Sequence, residues 1–439
     1  MLAEVTDDEQ SPDASAVPKL LGAAVVVGVL AGVAVIAYLT VEHWLQGLLW
    51  DDVPEALGGT PAWWVFGVLL VGAVGVWLAL KLPGHGGHRP LDGLGIDIGP
   101  KQIGSVVLAA LISLSIGAVV GPEAPLMAIG SAVGGFVALR TTEPVRKVLM
   151  LAGAAAGITM ILGNPMVSAV LVLEAAALKG SPGGKKVMLA VLPVLIAMGF
   201  GYLIQVGVGD WGGVGESQLA VPGLPAYDTV QPIDLGMAIV VAVVTAVLAV
   251  TAVEVGTSYQ NRMPNPLVGL LVAGFIVAAA AVITRAVTGQ DVNVILFSGQ
   301  ESTAHVLGLT SVGVLVVIAV AKTIAYSASL GGAFRGGMLF PAVFLGVVVA
   351  TASSLIVSGA NVSALAAAGI AAAVAAVLRL PFTAVLLALL LCAAAGLAVT
   401  TPAIIGAVVG VLFRVVADAR LHREPPEELA DESPQVAAS

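Results

Sequence analysis

The chain has little of what soluble proteins use for their surfaces. Only 10% of its 439 residues are Asp, Glu, Lys or Arg, against roughly a quarter in a soluble domain. Cys392 is the single cysteine, which excludes an intrachain disulfide and a cysteine-based metal centre. The five histidines include His85 and His88, but without carboxylate or thiol neighbours these two are assigned to a basic loop rather than to a metal site. No metal and no cofactor is expected. Lys and Arg number 18 against 27 Asp and Glu, a formal charge of −9, so nothing here favours nucleic acid. Neither H-E-x-x-H, nor G-x-S-x-G, nor a phosphate-binding loop occurs, and the chain is not expected to be an enzyme.

Apolar sequence fills the space that charge leaves. The chain is 59% hydrophobic with a mean hydropathy of +1.05, which predicts an all-α polytopic membrane protein in one membrane domain over 19–418. Apolar segments fall at about 20–39, 62–82, 103–120, 126–139, 148–162, 166–178, 187–207, 235–254, 267–284, 307–326, 338–357, 363–378, 382–399 and 402–416. Several are shorter than the roughly 20 residues a span requires. Short runs broken by Gly and Pro predict half-helices meeting inside the bilayer. The first run follows an acidic tail and reads as a retained span, not a signal peptide. Residues 1–18 and 419–439, rich in Glu and Asp, read as disordered solvated tails.

Long stretches also lack positive charge. Neither 43–61 nor 187–261 contains Lys or Arg, whereas Lys81, Arg89, Lys101, Arg140, Arg146, Lys147, Lys179, Lys185, Lys186, Arg414, Arg420 and Arg423 cluster at other segment ends. The positive-inside rule then places both termini in the cytoplasm and the Gly/Pro-rich loop 209–232, with Asp210, Glu216 and Asp228, outside.

A shift of 216 residues carries Pro125 onto Pro341, Gly130 onto Gly346, Ala152-Gly153 onto Ala368-Gly369 and Pro165 onto Pro381. That predicts two inverted repeats, about 19–205 and 235–418, each with a broken helix near the midplane. In the first repeat, Gly121-Pro122-Glu123-Ala124-Pro125 sets a carboxylate in apolar sequence. Such a group marks an ion or proton path. The helix start that follows would offer N–H groups to an anion, and ionised Glu123 can occupy that place itself.

At these residues the chain resembles the CLC family of chloride channels and chloride/proton antiporters. Gly121–Pro125 is similar to the family's G-(K/R)-E-G-P signature, with Pro122 and Ala124 substituted. Gly336-Gly337-Met338-Leu339-Phe340-Pro341 is similar to its G-x-F-x-P region, and the segments at Asn164-Pro165 to Glu174 and Leu378 to Thr383 resemble two more. The resemblance implies a homodimer in the cell membrane with one anion pore per subunit. It implies Glu123 as gate and an anion site formed by Gly87, Gly121, Ala124, Met338, Leu339 and Phe340.

Departures from the pattern shape the rest. Gly87 stands where the family has a filter serine, in Gly86-Gly87-His88-Arg89-Pro90, and no pore tyrosine is visible near the C-terminus. Weak, poorly discriminating chloride binding is therefore expected. Ala175 follows Glu174 where antiporters carry a second glutamate, so passive or loosely proton-coupled transport is expected ahead of strict antiport, and an organic-anion transporter is the more distant alternative. Glu174 itself reads either as a helix-end residue or as part of a proton or anion vestibule. Arg335, just before a broken helix, reads either as a cation that concentrates chloride or as a paired structural residue. Glu254 and Glu301 are assigned to loops.

Overall fold

A computed structural model describes residues 17–93, 98–178, 184–213 and 219–421. Most of both acidic tails, Lys179, Arg423 and Glu216 lie outside the described residues, as do the side chains of Lys185 and Lys186. The described chain is helical: α1 (Val17–Gly47), α2 (Val53–Ala56), α3 (Ala62–Ala79), α4 (Ile103–Ser115), α5 (Glu123–Val137), α6 (Glu143–Leu162), α7 (Pro165–Leu178), α8 (Gly184–Val206), α9 (Pro232–Arg262), α10 (Pro266–Thr288), α11 (Thr303–Leu307), α12 (Val312–Gly331), α13 (Leu339–Ile356), α14 (Val362–Leu378), α15 (Pro381–Leu391) and α16 (Thr400–Leu421). Eight of the described helical segments are long and apolar enough to cross a membrane. The 15 residues of α5 and 11 of α15 fall short of a span. Each of the fourteen apolar segments corresponds to a helix. Glu254 is the exception to its expected loop position: it lies inside α9 and pairs with Arg414 Nη1 of α16 at 3.0 Å.

The repeat is realised helix by helix. The 216-residue shift carries the start of α5 onto that of α13, the end of α4 onto that of α12, and the end of α6 onto that of α14. It also carries the starts of α7 and α8 onto those of α15 and α16, and α1 onto α9 within one residue. Left-handed backbone recurs at the same offset, with φ 88° at Gly117 and 70° at Ala333, and 61° at Gly163 and 62° at Arg379. The architecture is thus pseudo-symmetric.

Small residues let the central helices touch. In the first half, a methyl group at Gly130 of α5 would strike the backbone of Gly153 in α6, and the reverse holds. In the second half Gly346 of α13 and Gly369 of α14 make the equivalent crossing. Without water to drive apolar association, such backbone approach and its dispersion contacts hold membrane helices together. The centre is buried on every side: Leu339–Thr351 of α13 and Ser363–Ala376 of α14 are continuously inaccessible. This rigid centre holds the starts of α5 and α13.

Candidate anion site

The links α4–α5 and α12–α13 leave the helical path at glycine-rich turns and meet at the pseudo-twofold axis. Gly121 N–H donates to Gly337 O at 2.8 Å, and Gly337 N–H donates to Gly121 O at 2.6 Å. Two crossed bonds flank this pair: Val119 N–H to Ser329 Oγ at 2.9 Å and Arg335 N–H to Ser113 Oγ at 3.0 Å. Under the shift the two bonds exchange places, so the backbone frame is common to both halves.

Glu123 opens α5 and is 1% exposed. Its Oε1 accepts from Leu339 N–H, the first residue of α13 and its own repeat equivalent, at 2.5 Å. The amides of Phe340 and of Glu123 itself also approach the carboxylate. Oε2 has no hydrogen-bond partner among the described residues. Gly121 and Gly337 form the slot, since a methyl group on either would run into the carboxylate. A carboxylate so placed takes the N–H donors that an anion would use at a helix start. Protonation removes the charge that holds it there.

The other expected anion residues divide by what their donors already do. Leu339 and Phe340 offer amides to the Glu123 position. Gly121 N–H is committed to Gly337, and Gly87 N–H to Gly84 O at 2.9 Å. Met338 contributes a carbonyl, which accepts from Tyr326 Oη at 2.5 Å. Ala124 lines a cleft together with Gly86, His88, Arg89, Pro125, Arg335 and Gly336.

Sequence reasoning passed over Tyr326 and Lys322, both fully buried on α12. Lys322 Nζ donates to the carbonyls of Ile295, Leu296 and Phe297 at 3.0, 2.9 and 3.0 Å and lies 4.7 Å from the Phe344 ring centre. The signal was present: Lys322, Tyr326 and Ser329 recur at helical spacing in an apolar span, so they share one face. Their repeat equivalents, Val106, Ala110 and Ser113, differ at the first two positions.

A family profile described as voltage gated chloride channel matches residues 85–414. The chain belongs to this family. Family membership makes it a membrane anion-transport protein rather than an enzyme. Among similar proteins, the putative ion-transport protein YfeO of Shigella boydii serotype 4 (strain Sb227) is 27% identical over 336 residues. That alignment covers 74% of this chain and 76% of YfeO; the Escherichia coli O139:H28 protein matches to the same extent. Among solved structures, a slow cyanobacterial Cl−/H+ antiporter superposes with TM-score 0.74 at 18% identity, covering 93% of this chain and 96% of the other. A CLC-type fluoride/proton antiporter gives 0.64 at 16%, covering 92% and 96%. A eukaryotic CLC transporter gives 0.66 at 15%, covering 91% and 72%.

Glu174 is drawn into helix capping. Its Oε1 accepts from Phe382 N–H at 2.9 Å, and Oε2 accepts from Thr383 N–H at 2.8 Å and from Thr383 Oγ1 at 2.7 Å. The carboxylate of α7 thus satisfies the open N–H groups at the start of α15, where the helix dipole also favours negative charge.

Proposed function

We propose that this protein exchanges a small inorganic anion, chloride in the first instance, for protons, with Glu123 serving both ions. One observation carries the reading: the buried Glu123 carboxylate occupies the Leu339 amide at 2.5 Å, a place suited to an anion. Anion entry then requires that Glu123 leave, and protonation is what releases it. The ionised carboxylate and the anion therefore compete for one locus, and proton uptake there opens it to the anion. The solved antiporters of similar fold support ranking exchange ahead of the passive transport expected from Ala175. Passive conduction is the second reading, because Ala175 offers no proton acceptor and the adjacent Glu174 caps α15. Both termini are proposed to be cytoplasmic, from the placement of Lys and Arg, and the protein is proposed to act as a homodimer in the cell membrane.

The test is chloride flux from proteoliposomes with simultaneous proton recording. Exchange gives a fixed proton-to-anion ratio across gradients, and a chloride gradient drives protons uphill. Glu123→Gln is expected to abolish proton movement, keep anion flux and remove its dependence on external pH. In the wild type, acidification should raise anion flux, because protonation releases the carboxylate from the amides. Unaltered pH-dependent flux in Glu123→Gln would remove Glu123 from the mechanism.

A further inference from the structure

The cleft beside the start of α5 contains a cation that the gate does not use. Arg335 is 6% exposed, and its side chain lines the cleft with Gly86, Ala124 and Pro125. Nε donates to Gly86 O at 3.0 Å, Nη1 to Ala333 O at 3.2 Å and Nη2 to His85 O at 3.1 Å. Three of the five guanidinium N–H groups are thereby used, all on neutral carbonyls. Among the described residues, no carboxylate lies within ion-pair distance of Arg335, whereas Arg379 and Arg414 are both paired with Asp418. Carbonyl dipoles solvate the cation without cancelling its charge; Asp92 favours that charge only from beyond ion-pair distance and Arg89 opposes it, and a buried charge without a close counter-ion is costly.

Fold maintenance alone does not account for this cost. The repeat equivalent of Arg335 is Val119, and the crossed backbone bonds at the two positions are the same, 3.0 Å and 2.9 Å. The frame therefore forms around a valine in one half and an arginine in the other. The cleft wall also includes Ala124 and Pro125 in the first turn of α5, where the helix dipole favours an anion.

We infer that the Arg335 guanidinium is a direct ligand of the transported anion, at a station in the cleft beside the start of α5, next to the place Glu123 occupies. The inference rests on the anion-transport reading and names the charge that holds the ion there. Gly87 has no hydroxyl to offer, and its amide is already bonded to Gly84. Two remaining guanidinium N–H groups can serve in its stead. The ligand class is a small monovalent anion. The positive charge strengthens binding, which reverses the weak affinity expected from the missing hydroxyls.

Calorimetric titration of purified protein with chloride separates the roles. Arg335→Gln is expected to weaken chloride binding at least about tenfold, and Arg335→Lys, which keeps the charge, to stay within roughly threefold of wild type. A strut would fail in both variants alike, because the planar guanidinium reaches its three carbonyls from three separate nitrogens, a spread that one ammonium group does not copy. Equal loss in both therefore overturns the inference, as does wild-type affinity in a monodisperse Arg335→Gln. If Arg335→Gln does not fold, bromide-soaked crystals of the wild type decide: anomalous density within hydrogen-bonding reach of the guanidinium supports the station, and its absence there refutes it. Wild-type protein that moves no small anion in liposomes would instead refute the function on which the inference rests.

Discussion

A methyl group added at Gly337 would take the space of the Glu123 carboxylate. The clash is with the far end of a flexible side chain, so Gly337→Ala is expected to expel Glu123 rather than unfold the site. Anion flux in Gly337→Ala should then persist at alkaline external pH, as in Glu123→Gln; liposome flux against pH checks this. Gly87 behaves differently. Its φ is +69°, and a Cβ there would lie 2.8 Å from Val106 Cγ2. Gly87→Ser, which would restore the family's hydroxyl, is therefore expected to cost about 1–2 kcal/mol in backbone strain and to leave chloride affinity no better. A lowered melting temperature with unimproved calorimetric affinity is the expected outcome. Glu123 was legible in sequence because an acidic residue among glycine and prolines in apolar surroundings is rare. The loss of a usable amide at Gly87 was not, because it depends on how the turn from Gly84 folds.

Among the helices, the largest gain over sequence concerns the α7–α15 contact. Glu174 ends an apolar run, and nothing in its neighbourhood signals that residues 382 and 383 are its partners. The contact joins the two repeats, and local patterning cannot show it. Glu174→Ala would strip three acceptor contacts from the start of α15, an expected loss of about 2 kcal/mol. Thermal unfolding in detergent should register it, while the proton-to-anion ratio stays unchanged; a changed ratio would return Glu174 to the proton path. Helix existence, by contrast, was written in apolar run length. Helix ends were shifted by several residues, as in α9, which runs from Pro232 to Arg262 although its apolar run is shorter.

For the molecule as a whole, the 216-residue shift was visible in five sequence matches, and those matches include the residues that make the paired helix crossings. Gly130→Ala and Gly346→Ala alter equivalent crossings, and each methyl group would meet backbone that cannot turn aside. Each is expected to destabilise by about 1–3 kcal/mol, and comparable losses of melting temperature in the two variants would reflect the shared geometry. The symmetry also shows where the protein departs from it. Glu123 faces Leu339, Arg335 replaces Val119 and Tyr326 replaces Ala110. These three residues have apolar counterparts, which the shift exposes in the sequence; that they converge on one place is visible only in the fold.

The bond between Glu123 and Leu339 spans 216 residues of chain, and this has a bearing on biosynthesis. A ribosome adding about 5–20 residues per second needs roughly 10–40 s to make the stretch between them. Throughout that interval α5 has been made and the amide that receives its first side chain has not. A carboxylate without partners is costly in hydrocarbon, so Glu123 must wait either protonated or near water, and the packing around its carboxylate is completed only once α13 emerges.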